Sequence, residues 1–226
     1  MNNLKVTKKS NVLVIIPAYN EEKKIKKVIE KCLKYSRYVL VIDDGSKDKT
    51  SKEIKKTKAI YLLNKLNKGK GYSLRKGFKY SIKNKFDIVV TLDADGQHDP
   101  KFIPKLVKGI GQGYDVVIGT RRKRHSSMPK RRRISNFILS IIFSVASRTW
   151  IKDTQSGYRA ISVKALKSLK LKTSGYETES EILMKLGRKG AKFGTVRIPV
   201  IYGDEVSSIN PVEDTIKFAK VLKHRK

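Results

Sequence analysis

Residues 12–21 have the sequence VLVIIPAYNE, in which five aliphatic residues, Val12–Ile16, are followed by a proline and a polar turn. A short apolar run bounded by turn residues is typical of a buried β-strand. Further runs of this kind occur along the chain, at Val39–Ile42, Ala59–Leu62, Ile88–Leu92 and Val116–Ile118. We therefore predict a series of short buried strands in the N-terminal half of the chain.

Helical patterns alternate with these strands. They cover Glu21–Tyr35, Ser46–Thr57, Gly71–Ile82 and Pro100–Ile110. The first has its apolar residues at three- and four-residue spacing, Ser46 is a candidate N-cap, and Pro100 suits a first helical turn. Alternating strands and helices predict an α/β fold, with a mostly parallel sheet flanked by helices on both faces.

The alternation changes after Gly119. A strongly basic run at 121–133 precedes a helical pattern at Ile134–Ile151, which has a broad apolar face. Beyond it we predict a strand at Tyr158–Ile161, helices at Val163–Leu169 and Tyr176–Gly190, and a strand at Phe193–Val200. No long linker interrupts the chain, so we expect one domain over residues 1–209. Residues 210–226 are expected to form a basic helix that packs on this domain or extends it.

The charge of the chain is unusually positive. It has 52 Lys and Arg against 20 Asp and Glu, a formal net charge of +32, and such an excess favours an anionic partner. The single cysteine, Cys32, excludes an internal disulfide, and the three histidines are too scattered for a zinc cluster. The sequence shows neither a signal-peptide pattern nor an apolar stretch of transmembrane length. We therefore expect a cytoplasmic protein.

Acidic residues gather where the strands are predicted to end. Glu21 follows the first strand, Asp43 and Asp44 follow the second, and Asp93 and Asp95 follow the fourth. In an open parallel sheet, ligands bind at the carboxyl ends of the strands. Carboxylates at this edge suit Mg²⁺ or Mn²⁺, which usually bind together with phosphates. Each motif alone is common in turns and helix caps, so the prediction depends on their conjunction.

Four motifs together carry a resemblance to a known family. They are PAYNE at 17–21, VIDDGS at 41–46, LDADGQH at 92–98 and DTQSGYR at 153–159. In this order they resemble family 2 glycosyltransferases of the Rossmann-like GT-A fold, and within it the dolichyl-phosphate mannose and dolichyl-phosphate glucose synthases. The resemblance implies a metal-dependent inverting hexosyltransferase. Such an enzyme would move mannose or glucose from GDP-mannose or UDP-glucose to a polyprenyl phosphate of the dolichyl type.

The resemblance also implies roles on the donor side. Positions that match the family's contacts with the nucleotide base and ribose are Pro17, Tyr19, Glu21 and Asp43. The Asp-x-Asp pair, Asp93 and Asp95, matches the residues that bind the donor ribose and the divalent metal on its diphosphate, with Gln97 beside them. These three residues are therefore the expected metal site, and Asp95 is expected to be catalytic.

On the acceptor side the resemblance points to arginines. Arg121 matches an arginine near the acceptor phosphate, and Arg131 or Arg132 matches a second one, with the register left open by three consecutive arginines. A lipid phosphate is already anionic and needs no general base, whereas a hydroxyl acceptor does. Candidates for a base, or for support of metal or acceptor, are Asp153, Glu179 and Glu181. Surface or capping charges remain the alternative for all three.

Membrane contact is a further expectation. The pattern at Ile134–Ile151 is compatible with a core helix, but its apolar face beside a cationic run favours a helix in the membrane interface that admits a polyprenyl chain. We expect the protein at the inner face of the cell membrane, bound peripherally to anionic lipid. One departure from the synthase pattern weakens the donor and acceptor assignment: residues 198–208 lack a basic residue that many mannose synthases have there. The C-terminal transmembrane segments of some relatives are absent, so membrane contact is expected to be peripheral or through a partner.

Two alternatives remain at this point. The acceptor is a sugar or glycan hydroxyl in many members of the family, which would make this an enzyme of polysaccharide or glycoconjugate synthesis. The high positive charge also suggests nucleic-acid binding. However, lysines are spread over nearly every predicted helix, and no nucleic-acid motif is present. We therefore predict an enzyme that does not act on nucleic acid.

Overall fold

The computed structural model describes residues 10–121 and 156–199. Within these ranges one sheet contains β1 (Val12–Ala18), β2 (Tyr38–Asp43), β3 (Ile60–Leu63), β4 (Ile88–Thr91), β5 (Val116–Arg121), β6 (Arg159–Ser162) and β7 (Phe193–Ile198). The helices in the same ranges are α1 (Ile25–Leu33), α2 (Thr50–Lys55), α3 (Lys70–Lys83), α4 (Ile103–Gly111), α5 (Val163–Lys167) and α6 (Glu177–Arg188). A 3₁₀ turn at Pro100–Phe102 leads into α4.

The sheet is mostly parallel, as the alternation of strands and helices predicts. Its strand order is β3-β2-β1-β4-β6-β5-β7. β1 pairs in parallel with β2 and β4, and β2 pairs in parallel with β3. β6 is antiparallel to both of its neighbours, whereas β5 and β7 are parallel. The carboxyl ends of β1 to β4 consequently lie at one edge of the sheet, which is where the acidic motifs were expected to meet.

Hydrophobic cores fill both faces of the sheet. Along β1 the side chains alternate, so Leu13 and Ile15 face one core while Val14 and Ile16 face the other. The first core also contains Leu74 and Phe78 of α3 together with Ile182 and Leu183 of α6. The second contains the apolar stripe of α1, including the buried Cys32, and Leu106 of α4. Helices therefore cover both faces and leave the carboxyl edge as the place for a ligand.

Two helices begin later than the sequence patterns predict. The helix predicted from Ser46 begins at Thr50, because Ser46 is engaged elsewhere: its N–H donates to Asp43 Oδ1 at 2.9 Å and its Oγ accepts from the Asn20 N–H at 3.0 Å. Ser46 is therefore not an N-cap, and that prediction was wrong. The helix predicted from Glu21 begins at Ile25, and the intervening residues form the turn that carries Glu21.

Some sequence predictions lie outside the described residues. These are the basic run after Arg121, the apolar helix at Ile134–Ile151 and the C-terminal helix of residues 210–226. In the portions that are described, no helix has both the length and the apolar character needed to cross a membrane.

Candidate active site

The turns after β1 and β2 are bonded to each other at the carboxyl edge. The N–H of Asn20 donates to Ser46 Oγ at 3.0 Å, and the Lys47 N–H donates to Asn20 Oδ1 at 2.9 Å. Asn20 has a left-handed backbone with φ of 54°, which asparagine tolerates better than most residues. The Glu21 N–H donates to Thr50 Oγ1 at 2.7 Å. The two turns expected to contact the nucleotide therefore form one connected unit.

Asp43 ends β2 and is fully buried. Its carboxylate accepts a hydrogen bond from the Ser46 N–H at 2.9 Å and another from the Ser51 hydroxyl. The Ser51 hydroxyl also contacts the Tyr61 hydroxyl at 2.9 Å. These bonds fix the orientation of the carboxylate that is expected to contact the nucleotide base.

Asp44 is also buried, but it is bound to the start of α3. Its carboxylate accepts from Asn64 Nδ2 (2.7 Å), Lys68 N–H (3.2 Å), Gly69 N–H (2.7 Å) and Ser73 Oγ (3.2 Å). Gly69 immediately precedes α3, and a negative charge is favourable at a helix N-terminus, where backbone N–H groups lack partners. Asp44 therefore holds the beginning of α3 in place, and with it Lys70.

Lys70, the first residue of α3, lies between two carboxylates. Its Nζ is 2.5 Å from Asp93 Oδ1 and 3.1 Å from Glu179 Oε1. The three side chains are between 12% and 26% exposed, so solvent screens their charges only in part. Burial tends to lower the pKa of Lys70, but the two carboxylates outweigh it and raise that pKa above its usual value. Lys70 is thus a fixed positive charge inside the candidate site.

Two glycines permit this close approach. Any side chain on Gly71 would collide with Thr178 at the start of α6. A Cβ on Gly157 would lie 2.7 Å from Asp93 Oδ2 and 3.1 Å from Glu179 Oε1. The first of these distances is shorter than Cβ contacts found in proteins. Glycine at these positions lets α3, α6 and the strand preceding Asp93 bring their charged groups together.

Two further basic residues, His98 and Arg159, lie near Asp93. His98 Nδ1 lies 3.9 Å from Asp93 Oδ2, and the fully buried Arg159 donates from Nη1 to the Glu179 carbonyl at 2.8 Å. Burial tends to raise the pKa of Asp93, but the charges of Lys70, His98 and Arg159 lower it to about 2. Asp93 is therefore ionised at any physiological pH.

Asp95 has a different environment from Asp93. Its Oδ1 accepts a hydrogen bond from the Gln97 N–H at 2.9 Å. Burial and the negative charge of Asp93 raise the pKa of Asp95. Burial and the charge of Asp95 likewise raise the pKa of Glu21 across the edge of the sheet. Negative charge is thus concentrated around Asp95, and a bound cation would relieve the repulsion.

The donor set around Asp95 fits a divalent ion that is completed by substrate. Within residues 10–121 and 156–199, no group of three or more His, Cys, Asp or Glu side chains is arranged to hold a metal ion. Mg²⁺ usually binds proteins through one or two carboxylates and takes its other ligands from water and substrate phosphates. Of the expected metal ligands, Asp93 is engaged by Lys70, so Asp95 is better placed to bind a cation.

Two of the candidate bases are already engaged. The Glu181 carboxylate accepts from the N–H groups of Lys172 and Thr173 and from the Thr173 hydroxyl, and it pairs with Lys185. Burial tends to raise the pKa of Glu181, but these bonds lower it below its ordinary value. Glu179 pairs with Lys70. Glu181 therefore belongs to the fold, whereas Glu179 belongs to the charge cluster around Asp93.

The remaining predicted residues have varied placements. Pro17 pairs with Ile42 inside the sheet, next to the turn that carries Tyr19, which is 40% exposed. Arg121 ends β5. Arg131, Arg132 and Asp153 lie outside the described residues.

Sequence reasoning did not single out Lys70, the structural role of Asp44 or the role of Arg159. Lys70 is one of 52 basic residues, and nothing local distinguishes it from the solvent-exposed lysines. The glycines on both sides of it are the one signal that could have marked it, because a Gly-Lys-Gly run before a helix indicates close packing of the backbone.

The sequence of residues 13–170 matches the family model described as glycosyl transferase family 2. This match covers more than half of the chain. The chain belongs to glycosyl transferase family 2. Membership confirms the family that the four sequence motifs indicate and makes the protein a glycosyltransferase.

Two relatives of this family 2 glycosyltransferase are named for transfer to a dolichyl phosphate. The UDP-N-acetylglucosamine–dolichyl-phosphate N-acetylglucosaminyltransferase of Methanococcus voltae is 36% identical over 216 residues, which cover 84% of this chain and 86% of that protein. The dolichol-phosphate mannosyltransferase of Pyrococcus furiosus is 29% identical over 205 residues, 85% of this chain and 56% of that protein. Both names include a dolichyl phosphate acceptor for those enzymes.

Solved structures confirm the fold. Glucosyl-3-phosphoglycerate synthase of Mycobacterium tuberculosis, in complex with Mn²⁺, UDP and glucosyl-3-phosphoglycerate, superposes with a TM-score of 0.73 at 22% identity. The superposition covers 96% of this chain and 80% of that one. At this identity the likeness concerns the fold alone, and it confirms the predicted GT-A class.

Proposed function

We propose that this glycosyltransferase moves a hexose from a nucleotide sugar to a polyprenyl phosphate, with Mg²⁺ or Mn²⁺ bound at Asp95. The observation that carries the proposal is the pair of carboxylates at the end of β4, one neutralised by Lys70 and the other left in a strongly negative environment. Family membership and the names of two relatives then point to the acceptor.

The donor side follows from the electrostatics of the site. Breaking a bond between a sugar and a diphosphate builds negative charge on the leaving group, and a cation at Asp95 would supply Lewis-acid stabilisation there. We assign the base contact to Asp43, whose carboxylate is held by Ser46 and Ser51. We assign the ribose contact to Asp93, whose carboxylate is held by Lys70. Pro17, Tyr19 and Glu21 complete the proposed nucleotide surface.

The acceptor side follows from which carboxylates are engaged. A hydroxyl acceptor needs a base, and of the two candidates within the described residues Glu181 is bonded within the fold and Glu179 is paired with Lys70. A phosphate oxygen is anionic and needs none. Arginines bind phosphate with bidentate hydrogen bonds and can align it for attack, and this is the role we propose for Arg121 and for Arg131 or Arg132. A supporting role for Asp153 is part of the same proposal.

The location of the reaction follows from the acceptor. A polyprenyl phosphate is embedded in a lipid bilayer, so we propose that the protein works peripherally at the inner face of the cell membrane. The net charge of +32 favours anionic lipid headgroups. In this proposal the helix at Ile134–Ile151 contributes to the contact.

Sugar transfer into a lipid phase tests the proposal. Radiolabelled GDP-mannose, UDP-glucose and UDP-N-acetylglucosamine are each incubated with the protein and a detergent-dispersed polyprenyl phosphate, with Mg²⁺, with Mn²⁺ or with EDTA. We expect organic-extractable label from one of these donors, abolished by EDTA. Label that appears only in a water-soluble glycan, or equally with EDTA, would contradict the acceptor or the metal respectively.

A variant of Arg121 separates the two substrate sites. Arg121→Ala is expected to raise the KM for polyprenyl phosphate about tenfold or more, the cost of a lost charged hydrogen bond, while the KM for the donor stays unchanged. Lys79→Ala, an exposed cation on α3, serves as the charge-matched control. An equal rise in both KM values would contradict the assigned role of Arg121.

A further inference from the structure

One stretch of the chain is rich in positive charge and contains no acidic residue of its own. Between Glu53 and Asp87 there are eleven Lys and Arg and no Asp or Glu. This stretch forms β3, which is the edge strand of the sheet in the described residues, the following loop, and α3. A surface with this much positive charge attracts anionic partners.

The loop between β3 and α3 adds exposed apolar side chains to this charge. Leu63 is 49% exposed and Leu66 is 72% exposed, the largest exposure among the large hydrophobic residues of the described part of the chain. Lys65, Asn67 and Lys68 are exposed between and beside them. We call residues 63–68 the leucine loop. Leucines flanked by lysines match a lipid interface, where apolar side chains enter the acyl boundary and cations meet headgroups.

The leucine loop is held in place by the fold. The Asn64 N–H donates to the Asp43 carbonyl at 2.8 Å, and the Lys68 N–H donates to the buried Asp44 carboxylate at 3.2 Å. The backbone of Leu66 also packs so closely on Gly45 that a Cβ there would lie 2.8 Å from the Leu66 carbonyl carbon. The structure thus fixes the backbone of the leucine loop while leaving the Leu66 side chain in water.

The position of the leucine loop relates it to the active site. Leu63 pairs with Asp43 at the carboxyl ends of β3 and β2, so the loop follows the same edge of the sheet as Asp93 and Asp95. Of the exposed tyrosines, Tyr35 and Tyr114 follow the C-terminal ends of α1 and α4, whereas Tyr19 follows β1 and Tyr176 contacts Lys70 at this edge. A bilayer that contacts the leucine loop would therefore face the edge at which the acceptor phosphate must enter.

We propose that the leucine loop is a docking surface for anionic lipid bilayers, with Leu66 inserted among the lipids and Lys65 and Lys68 on the headgroups. This inference rests on the proposed function, because a lipid acceptor is what requires the carboxyl edge to face a membrane. The leucine loop would be a second membrane contact beside the proposed helix at Ile134–Ile151. Its position predicts the orientation of the enzyme on the membrane.

Vesicle co-sedimentation of the full chain tests the docking surface. The vesicles contain phosphatidylcholine with or without phosphatidylglycerol. Leu66→Asn is expected to weaken binding to anionic vesicles about tenfold, because leucine loses its apolar burial. Lys65→Gln with Lys68→Gln is expected to weaken it at least tenfold, since each cation near an anionic surface contributes about 1 kcal/mol. The matched controls are Tyr35→Asn for the apolar change and, for the charge change, Lys105→Gln with Lys108→Gln, two exposed lysines of α4 outside the basic stretch.

The outcomes separate docking from general electrostatics. Selective loss in the leucine-loop variants, with controls that bind like the wild type, supports the proposal. Wild-type protein that fails to bind anionic vesicles overturns it. So does a result in which Leu66→Asn has no effect, or in which the control lysines matter as much, because binding would then depend on net charge or on another partner of this surface.

Sugar transfer distinguishes failure of docking from failure of the proposed function. With detergent-dispersed polyprenyl phosphate, Leu66→Asn is expected to turn over like the wild type. With the same acceptor embedded in anionic vesicles, its turnover is expected to fall by the factor measured for vesicle binding. Equal turnover of variant and wild type on vesicles overturns the docking proposal, whereas absence of transfer to detergent-dispersed acceptor by the wild type contradicts the function instead.

Discussion

Two aspartates lie at the end of β2 and two at the end of β4, and the two pairs differ in the groups that contact their carboxylates. At the end of β2, Asp43 and Asp44 accept hydrogen bonds from several protein groups each. At the end of β4, Asp93 is paired with Lys70, while Asp95 accepts one hydrogen bond from the Gln97 N–H and has a raised pKa. The donors supplied by the fold stabilise the first pair, and Lys70 stabilises Asp93, whereas Asp95 remains in a strongly negative environment.

This difference separates structural from ligand-binding carboxylates. A buried carboxylate surrounded by donors stabilises the turns that contain it. A carboxylate close to other carboxylates costs stability in the free protein, and such groups cluster at functional sites. Aspartates that look alike in the sequence thus differ in their surroundings: Asp44 is bonded within the fold, whereas the surroundings of Asp95 favour a bound cation.

The largest expected effect is at Asp95. Asp95→Asn should lower metal-dependent turnover by about a thousandfold, as expected when a group that stabilises transition-state charge is removed. Its unfolding free energy should stay equal to or exceed that of the wild type, since repulsion with Asp93 and Glu21 is relieved. Turnover and urea unfolding measure the two quantities. Asp87→Asn, at the other end of β4, is the matched control. Turnover of Asp95→Asn at the wild-type rate would refute the role of Asp95.

Lys70 is expected to come next. Lys70→Met leaves the Asp93 and Glu179 carboxylates uncompensated, and removing one partner of a largely buried ion cluster costs about 3 kcal/mol of unfolding free energy. Adding Glu179→Gln should restore part of that loss, because one of the two uncompensated charges is then gone. Urea denaturation of the single and double variants measures this coupling. Strict additivity of the two substitutions would show that Lys70 and Glu179 do not interact.

A variant of Asp44 tests whether this carboxylate stabilises the fold and has no direct part in turnover. Asp44→Asn replaces a carboxylate that faces four donor groups with an amide that can accept only through one oxygen, and we expect a loss of about 2 kcal/mol of stability. Metal-dependent turnover of the folded fraction should fall far less than in Asp95→Asn. Thermal unfolding and turnover at a temperature below the transition provide the two measurements. If Asp44→Asn destroyed turnover without destabilising the fold, the division between Asp44 and Asp95 would be wrong.

The smallest expected effect depends on pH and concerns Glu181. Its pKa in the folded protein lies below the ordinary value of 4.5, because the bonds to Thr173 and Lys185 outweigh burial. The ionised form therefore stabilises the fold above that value, and the contribution is lost as pH falls through the lower folded pKa. Glu181→Gln should cost about 1–2 kcal/mol at neutral pH, and less in acid. Urea unfolding at several pH values would show whether the difference instead stays constant.

Much of the fold could be predicted because aliphatic runs determine it. The strands from Val12, Val39, Ile88 and Val116 begin within a residue of their predicted positions, since burial on both faces of a parallel sheet demands continuous apolar segments. Helix starts were less predictable. Ser46 has the chemistry of an N-cap, but Asp43 and Asn20 lie close enough to bind it first.

The motifs of the candidate site could be predicted from the sequence, but the contacts between their side chains and distant segments could not. Asp43, Asp93 and Asp95 are marked by their position after apolar runs. Lys70 is brought to Asp93 by the packing of α3 against α6, a contact between segments more than 100 residues apart. A single sequence does not reveal which distant segments are in contact. Lysine is also so frequent in this chain that one lysine does not stand out.

Binding of Mn²⁺ together with a nucleoside diphosphate tests the central comparison most directly. Electron paramagnetic resonance can count bound Mn²⁺ in the presence of UDP or GDP for the wild type, Asp95→Asn and Asp44→Asn. We expect one nucleotide-dependent Mn²⁺ in the wild type, retained by folded Asp44→Asn and lost in Asp95→Asn. Equal binding by the wild type and Asp95→Asn, or loss confined to Asp44→Asn, would contradict the assignment of Asp95 to the ligand and of Asp44 to the fold.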